Sequence, residues 1–285
     1  MAEIEVLRPG LYSTIQDMGR NGFQKFGVPE SGVMDQYAAK MANLLLHNPA
    51  NAAVLEITLI GPKLLFQGTS KMAFSGADLS PMINGKPISN NEVYEIKAGD
   101  ELSFGKRNSG CRCYLAILGG FQTEEIMDSR SWYEEITSWV RLERGVKLFF
   151  NASEEEKVNK RASVKVETEY LTAAEVEAFP GPEYFLLQDK EKELLRNFRF
   201  SIGENYNRMA IQLKEELPND LSPILTEPVL PGTVQLTPSG RLIILMRDCQ
   251  TTGGYPRVLQ VSEKGLNILA QKLKGDALKF SLRSH

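Results

Sequence analysis

Short runs in which apolar and polar residues alternate dominate the chain, and Gly, Pro, Asn or Asp stops each one. VYEIKAGDELSF, CRCYLAILGG, RLIILMRD and ALKFSL are of this kind. Alternation with period two gives each face of a strand its own set of side chains, and turn residues at such close spacing predict barrels or sandwiches. Asn84-Gly85 reads as a tight hairpin turn. Helical periodicity is sparse. DQYAAKMANLLLHN carries Tyr37, Met41, Leu44 and Leu45 on one stripe, with Asp35 placed to cap or charge its first turn and His47 serving its end. TAAEVEAF entered at Thr172, DKEKELLRNF entered at Asp189, and SEKGLNILAQKL before the last strand are the remaining helical candidates.

KAGDELSF near Phe104, RGVKLFF near Phe149 and KGDALKF near Phe280 echo one another: each sets a basic residue and a Gly before an alternating strand. The echo fits two related barrels, the first closing near Phe150 and the second near Phe280. Between them NASEEEKVNKRASVK is polar, charged and without apolar periodicity, which marks a solvated boundary. The expected domains are therefore 1–155 and 156–285, in a mainly β chain with a few helices.

A length of 285 residues with 42% hydrophobic side chains furnishes a core for each domain. Lys and Arg number 33 against 36 Asp and Glu, a net charge of -3, and no long basic run is present. Nucleic acid and anionic lipid are thus not expected partners. MAEIEVLRPG lacks the basic flank and apolar stretch of a secretory signal, and no apolar run reaches membrane-spanning length, so a soluble, cytoplasmic protein is expected. Cys111 and Cys113 fall on one face of a strand and read as reduced, buried thiols, since no second Cys pair or nearby His completes a metal set. The only histidines are His47 and the terminal His285, which argues against His-based metal sites and a Ser-His-Asp triad.

Three segments concentrate candidate chemistry. TIQDMGRNGFQKFGVPESGVMDQYA sets Gln16, Asp17, Arg20, Ser31 and Asp35 among Gly19, Gly22, Gly27 and Gly32. Glycines let backbone approach a ligand closely while the carboxylates and Arg direct hydrogen bonds, yet the same residues also make a pair of turns with Arg20 on a carboxylate. In AFSGADLSPMINGKPI, Ser75, Gly76 and Asp78 follow an apolar strand; they suit an anion or carbonyl oxygen, or a capped turn at the strand end. RDCQTTGGYPRV places Arg247, Asp248, Gln250, Thr251, Thr252, Tyr255 and Arg257 around Gly253-Gly254. Such a loop can hold a phosphate or a planar amide, or can be a polar hairpin; it lacks the Walker A spacing.

PGLYSTIQDMGRNGFQKFGVPESGVMDQYAAKMANLLL, LEITLIGPKLLF, FSGADL, CYLAILGGF, PGTVQLTPSGRLIILM and DCQTTGGYPRV, in that order between Pro9 and Phe280, resemble the 5-oxoprolinase C-subunit family. That family is also known as the KipI antagonist or allophanate hydrolase subunit 2 family, and it forms part of the carboxyltransferase domain of urea carboxylase. The resemblance implies tandem cyclophilin-like β-barrels working with two further subunits, one KipI-like and one LamB/YcsF-like. It implies ATP-dependent opening of 5-oxoproline to glutamate, with ATP bound by this chain or by the complex. Phosphoryl transfer to a lactam oxygen turns a poor electrophile into a good one. Carboxyl transfer from carboxybiotin to a urea-like nitrogen is the alternative, with biotin carried by another chain because no Met-Lys-Met signature occurs here. A third possibility is a non-catalytic regulator that binds a KipI-like kinase inhibitor.

Carried over to this chain, the resemblance makes Asp17 or Asp248 a base and assigns Arg20 and Arg257 to hold an anion. Thr251, Thr252 and the amides of Gly253 and Gly254 bind an oxygen, while Gln16, Ser31, Asp35, Ser75, Gly76, Asp78, Gln250 and Tyr255 contact substrate. The chain departs from the family pattern at Ala210 and Gln212, where Gly and Arg are usual. It departs again at Asp128 and Trp132 of DSRSW, where Gly and Thr are usual, and at LTEPVLPG.

Overall fold

The computed structural model describes residues 1–152 and 165–283. Most of the expected boundary segment, and His285, lie outside the described residues. The chain divides into two compact units. The first holds 1–19 and 35–171, and the second holds 20–34 and 172–285, so the Gly-rich stretch between Gly19 and Asp35 is counted with the second.

The first unit contains β1 (Ala2–Arg8), β2 (Tyr12–Gln16), α1 (Gln36–Leu45), β3 (Val54–Thr58) and β4 (Lys63–Phe66). β5 (Ser70–Asp78), β6 (Pro81–Ile83), β7 (Lys86–Pro87) and β8 (Val93–Ile96) follow. β9 (Glu101–Phe104), β10 (Ser109–Ile117) and β11 (Lys147–Phe150) complete it. One sheet runs β11-β1-β4-β9-β6-β7 and the other β2-β3-β10-β5-β8. Ile4, Val6, Leu64, Phe66, Leu102 and Phe150 from the first meet Leu55, Ile57, Phe74, Cys113 and Leu115 from the second in one buried core. Period-two alternation explains this, since only one side of each strand reaches the core.

The second unit contains β12 (Glu175–Pro180), α2 (Asp189–Asn197), β13 (Phe200–Tyr206), β14 (Ala210–Glu216) and β15 (Glu227–Pro228). β16 (Thr233–Leu236), β17 (Arg241–Leu245), β18 (Thr252–Gly253), β19 (Arg257–Val261), α3 (Glu263–Ala270) and β20 (Ala277–Leu282) follow. Seven strands close into a barrel in the order β12-β19-β16-β17-β14-β13-β20, and β15 with β18 forms a separate two-stranded ribbon. Tandem barrels were expected; the hydrogen-bonded ring closes in the second unit, whereas the first is described as two facing sheets.

The sequence echo is a repeated turn. Gly99, Gly145 and Gly275 all take φ between 83° and 92°, a left-handed conformation suited to Gly, immediately before β9, β11 and β20. In two of the three the Asp after the Gly repeats its own bond: the amides of Lys97 and Leu273 donate to Asp100 and Asp276 at 2.7 and 2.9 Å. Asn84 and Gly85 both have positive φ and join β6 to β7 as the hairpin turn predicted. Asp35 caps α1 by accepting from the Ala38 amide at 2.9 Å, and His47, at φ 56°, donates its amide to Leu44 O at the helix end. Ser262 caps α3 in the same way.

Two expectations fail. TAAEVEAF is not helical: its last residues form β12, which pairs with β19 and in parallel with β20. Ala and Glu favour a helix locally, but strand pairing satisfies this backbone and buries Val176 and Ala178. The buried stripe of α1 is also not Tyr37, Met41, Leu44 and Leu45 but Ala38, Ala39, Ala42 and Asn43, and Leu44 is exposed. Small residues let the helix approach β5 closely: a Cβ on Gly76 would lie 3.2 Å from the Ala38 methyl. All three cysteines are buried free thiols, and burial pushes Cys113 far up and Cys249 to about 12.

Phe150 is fully buried between the sheets, edge-on to Phe66. Phe150→Ala is expected to cost about 3–5 kcal/mol, read as a lower denaturant midpoint. A loss under about 1 kcal/mol would contradict this core.

Candidate functional site

In the first unit the chain leaves β2 at Gln16 and is caught by the segment before Trp132. The Asp17 carboxylate accepts from the hydroxyls of Ser129 and Ser131, both at 2.6 Å, and from the amides of Gly19 at 2.9 Å and Arg130 at 2.6 Å. Its own amide donates to the Ser131 hydroxyl at 3.0 Å. Four donors on one buried carboxylate make it a strong organiser of loops. Gln16 adds donations to the Thr14 hydroxyl and Trp132 O. Trp132 thus takes part through its backbone, so a change of side chain there leaves this link in place. Asp128 and Met127 sit at φ 59° and 56°. Asp is among the side chains that tolerate such a conformation.

Asp35 belongs to a different cluster of the same unit. β3, β10 and β5 align Glu56, Tyr114 and Ser75 in one row across the sheet. Tyr114 donates its hydroxyl to Glu56 at 2.9 Å and accepts from the Asp35 amide at 2.8 Å, while Tyr170 donates to the Asp35 carboxylate at 2.7 Å. Burial and the neighbouring carboxylates hold both tyrosine hydroxyls well above their usual range, so both stay protonated donors. Gly76, at φ 89°, leaves room for this row, since a Cβ would lie 2.6 Å from Arg112 O and 3.2 Å from the Tyr114 ring. The Ser75 hydroxyl is buried with no hydrogen-bond partner among the described residues. Asp78 stands apart, accepting from the Ser80 amide and the Asn108 side chain as a turn cap.

The second unit builds its knot around Asp248. Arg208 clamps that carboxylate with both ends of its guanidinium, Nε to Oδ2 at 2.7 Å and Nη2 to Oδ1 at 3.0 Å, and donates further to Gly32 O at 2.6 Å. Ser31 donates its hydroxyl to Asp248 Oδ1 at 2.8 Å and its amide to Arg247 O at 3.0 Å. Ser31 holds φ 59°, strained for a residue with a Cβ, and these contacts keep it there. Arg20 is fully buried, and its amide donates to Glu30 O. Arg247 pairs with Glu263, and Glu30 lies close enough to both for its pKa to be raised by burial first, with Arg247 opposing and Glu263 adding.

The loop Gln250–Tyr255 follows this knot. Thr252 and Gly253 pair with Pro228 and Glu227, and Thr251 O and Gly254 O accept from Val229 and Ile224. A Cβ on Gly253 would lie 2.4 Å from the side-chain amide nitrogen of the buried Gln235, so a larger residue there would push that side chain aside. Gln250, Thr252 and Tyr255 are exposed, and Thr251 is half-buried. Arg257 is occupied by Glu183 in a two-pronged pair at 2.9 and 2.8 Å and also donates to Pro228 O, which holds the Glu183 carboxyl below its usual range. Gln212 accepts from the Asn205 side chain at 3.1 Å.

Within the first unit the motifs form two clusters, Gln16 and Asp17 with Ser129–Ser131, and Asp35 and Gly76 with Tyr114; within the second unit Ser31 gathers with Asp248 and Arg208. Ser129, Ser131, Glu56, Tyr114, Tyr170, Arg208 and Glu183 escaped the sequence reading. Ser-Arg-Ser at 129–131 and the lone Arg of NRMAIQL were legible as polar interruptions, but nothing local tied them to an Asp more than 100 residues away in one case and 40 in the other. Among the described residues no group of three His, Cys, Asp or Glu could hold a metal ion, and no helix is long and apolar enough to cross a membrane.

Removing Arg208 strands a buried carboxylate. Arg208→Ala is expected to destabilise by about 3–5 kcal/mol in denaturant unfolding, with Arg208→Ala/Asp248→Ala recovering part of the loss; equal losses in the single and double variants would refute the pair. For Glu30, a folded pKa above 4.5 means that the folded state binds the proton more tightly. Its contribution is present below that value and lost as pH rises through the raised one. Glu30→Gln should therefore raise the melting temperature relative to the unaltered chain at pH 8 and give no gain at pH 4; the reverse order would contradict the assignment.

Residues 26–282 match the model of the family described as carboxyltransferase domain, subdomain A and B. The chain is 31% identical to the C subunit of 5-oxoprolinase from Escherichia coli K12, covering 97% of this chain and 90% of that protein. It is 44% identical over 130 residues to the urea amidolyase of Lachancea kluyveri, a match covering 45% of this chain and 7% of that one. Among solved structures, TTHA0988 superposes with a TM-score of 0.88 at 27% identity over 99% of this chain, which spans only 56% of the TTHA0988 chain. The K. lactis urea amidolyase superposes with a TM-score of 0.84 at 29% identity, over 98% of this chain and 18% of that one. By the extent of these matches, the chain belongs to the family of carboxyltransferase domains, subdomains A and B.

Proposed function

We propose that this chain is part of an ATP-dependent 5-oxoprolinase that opens 5-oxo-L-proline to L-glutamate together with two further subunits, one KipI-like and one LamB/YcsF-like. The supporting observation is the near end-to-end match to a free-standing C subunit of 5-oxoprolinase, 97% of this chain and 90% of the relative. The urea amidolyases match as a small part of much longer chains.

Asp17 and Asp248 are committed to hydrogen-bond donors within their own units, so in this proposal they hold their loops in shape and Arg20 lies buried beside Glu30. Substrate contact falls to the groups left outward: the Gln250 amide, the Thr251 and Thr252 hydroxyls and Tyr255. These are neutral donors and acceptors, which suit a planar lactam amide. The residues here do not fit a nucleotide-phosphate site. The Gly-rich loop uses its backbone to pair with β15, Arg257 is taken by Glu183, and no acidic cluster is placed for a magnesium ion among the described residues. ATP is accordingly assigned to one of the other two subunits. The 44% identity to a urea amidolyase favours, as second reading, carboxyl transfer with biotin brought by another chain.

The test is reconstitution with the KipI-like and LamB/YcsF-like proteins of the same genome, measuring ADP and glutamate released per 5-oxoproline consumed. Turnover is expected, and Thr252→Val should raise KM about tenfold or more with the complex assembled. An assembled complex without turnover would defeat the lactam reading, and biotin-dependent carboxylation of urea by that complex would establish the second.

A further inference from the structure

A cleft of about 560 Å³ lies wholly within the second unit, lined by the last turn of α2 and by the strands β12 and β20. Sites for small organic molecules usually measure roughly 300–1,000 Å³. None of its lining residues belongs to the Gln250–Tyr255 loop.

Its charge is lopsided. Arg196, Lys279 and Arg283 line it against a single acid, Glu175. Arg283 is engaged by Glu177 at 3.4 Å, whereas Arg196 and Lys279 have no carboxylate partner among the described residues. Arg196 also suits the carbonyl end of α2, but Lys279 stands on a strand, where no such role exists.

The backbone of β20 adds hydrogen-bonding groups. On one side it runs beside β12, and the amides of Lys279 and Arg283 donate to Ala174 O and Ala178 O there. Backbone groups alternate in direction along a strand, so the amides and carbonyls of Phe280 and Leu282 point to the other side. On that side β13 accompanies β20 only at Ala277 and Leu278. Beyond Leu278 the edge has no strand partner among the described residues, and the β20 residues that line the cleft begin at Lys279. Pro180, Phe280 and Leu282 give the remaining wall an apolar character.

We propose that this cleft binds a small organic acid built like an acylated amino acid: a carboxylate, an amide and a compact apolar side chain. Arg196 and Lys279 hold the carboxylate, because both cations are otherwise without a counter-charge. The free edge at Phe280 and Leu282 pairs with the ligand's amide, offering it both a donor and an acceptor as a neighbouring strand would. The apolar side chain rests against Pro180 and Leu282.

The experiment is calorimetry on the full chain with N-acetyl-leucine as the probe. A one-to-one isotherm is expected, at least about tenfold weaker for its methyl ester, which lacks the charge. Isocaproate, which keeps the charge and the apolar stem but lacks the amide, should bind about threefold or more weaker. Arg196→Gln/Lys279→Gln should weaken the acid at least about 30-fold at an unchanged melting temperature. Arg241→Gln, a control at an exposed arginine of β17, should leave it within about twofold. In amide NMR spectra the Phe280 and Leu282 signals are expected to move on titration. No binding at a concentration on the order of 10 mM overturns the site. So does unchanged affinity in the double variant. An ester, isocaproate or inorganic phosphate that binds as tightly as N-acetyl-leucine overturns the ligand class.

Discussion

A bidentate arginine on a buried aspartate is the contact on which the second unit's motif loops depend. Arg208 reaches Asp248 with two nitrogens and Gly32 O with one of them, while Ser31 closes on the same carboxylate. The stretch Arg20–Met34 has no helix longer than one short turn and no strand, so little of its own backbone pairing holds it. The ion pair and the strained Ser31 together supply that hold. Desolvating such a pair is costly, and the geometry compensates because both carboxylate oxygens and the Nε and Nη2 of the guanidinium find partners.

Asp17 performs the matching task in the first unit with neutral donors. Two hydroxyls and two amides around one carboxylate stitch the end of β2 to the segment 129–131. Asp17 and Asp248 thus each accept from several donors, and the outward side chains of the Gln250–Tyr255 loop are neutral.

The same economy of space appears beneath α1. Four small or polar side chains face the sheet, and Gly76 opposite them has no Cβ, so the helix settles onto a row of buried polar groups from Glu56 to Ser75. Tyr114 and Tyr170 stay protonated there and donate to Glu56 and Asp35. A bulkier helix face would stand off the sheet and leave these groups without their partners.

The sequence by itself determined the strand-rich class, the Asn84-Gly85 hairpin, the Asp35 cap, the Gly-plus-strand echo before β9, β11 and β20, and the family. Each of these rests on local conformational chemistry or on ordered motifs, and a few neighbouring residues suffice to set them. Only the tertiary structure decided that TAAEVEAF becomes a strand, that α1 buries alanines instead of its leucines, and that Asp17 draws its donors from Ser129–Ser131, Asp35 from Tyr170 and Asp248 from Arg208. The physical reason is the same throughout: strand pairing, helix approach distance and the donors of a buried carboxylate come from residues distant along the chain. No local pattern encodes which distant partner arrives.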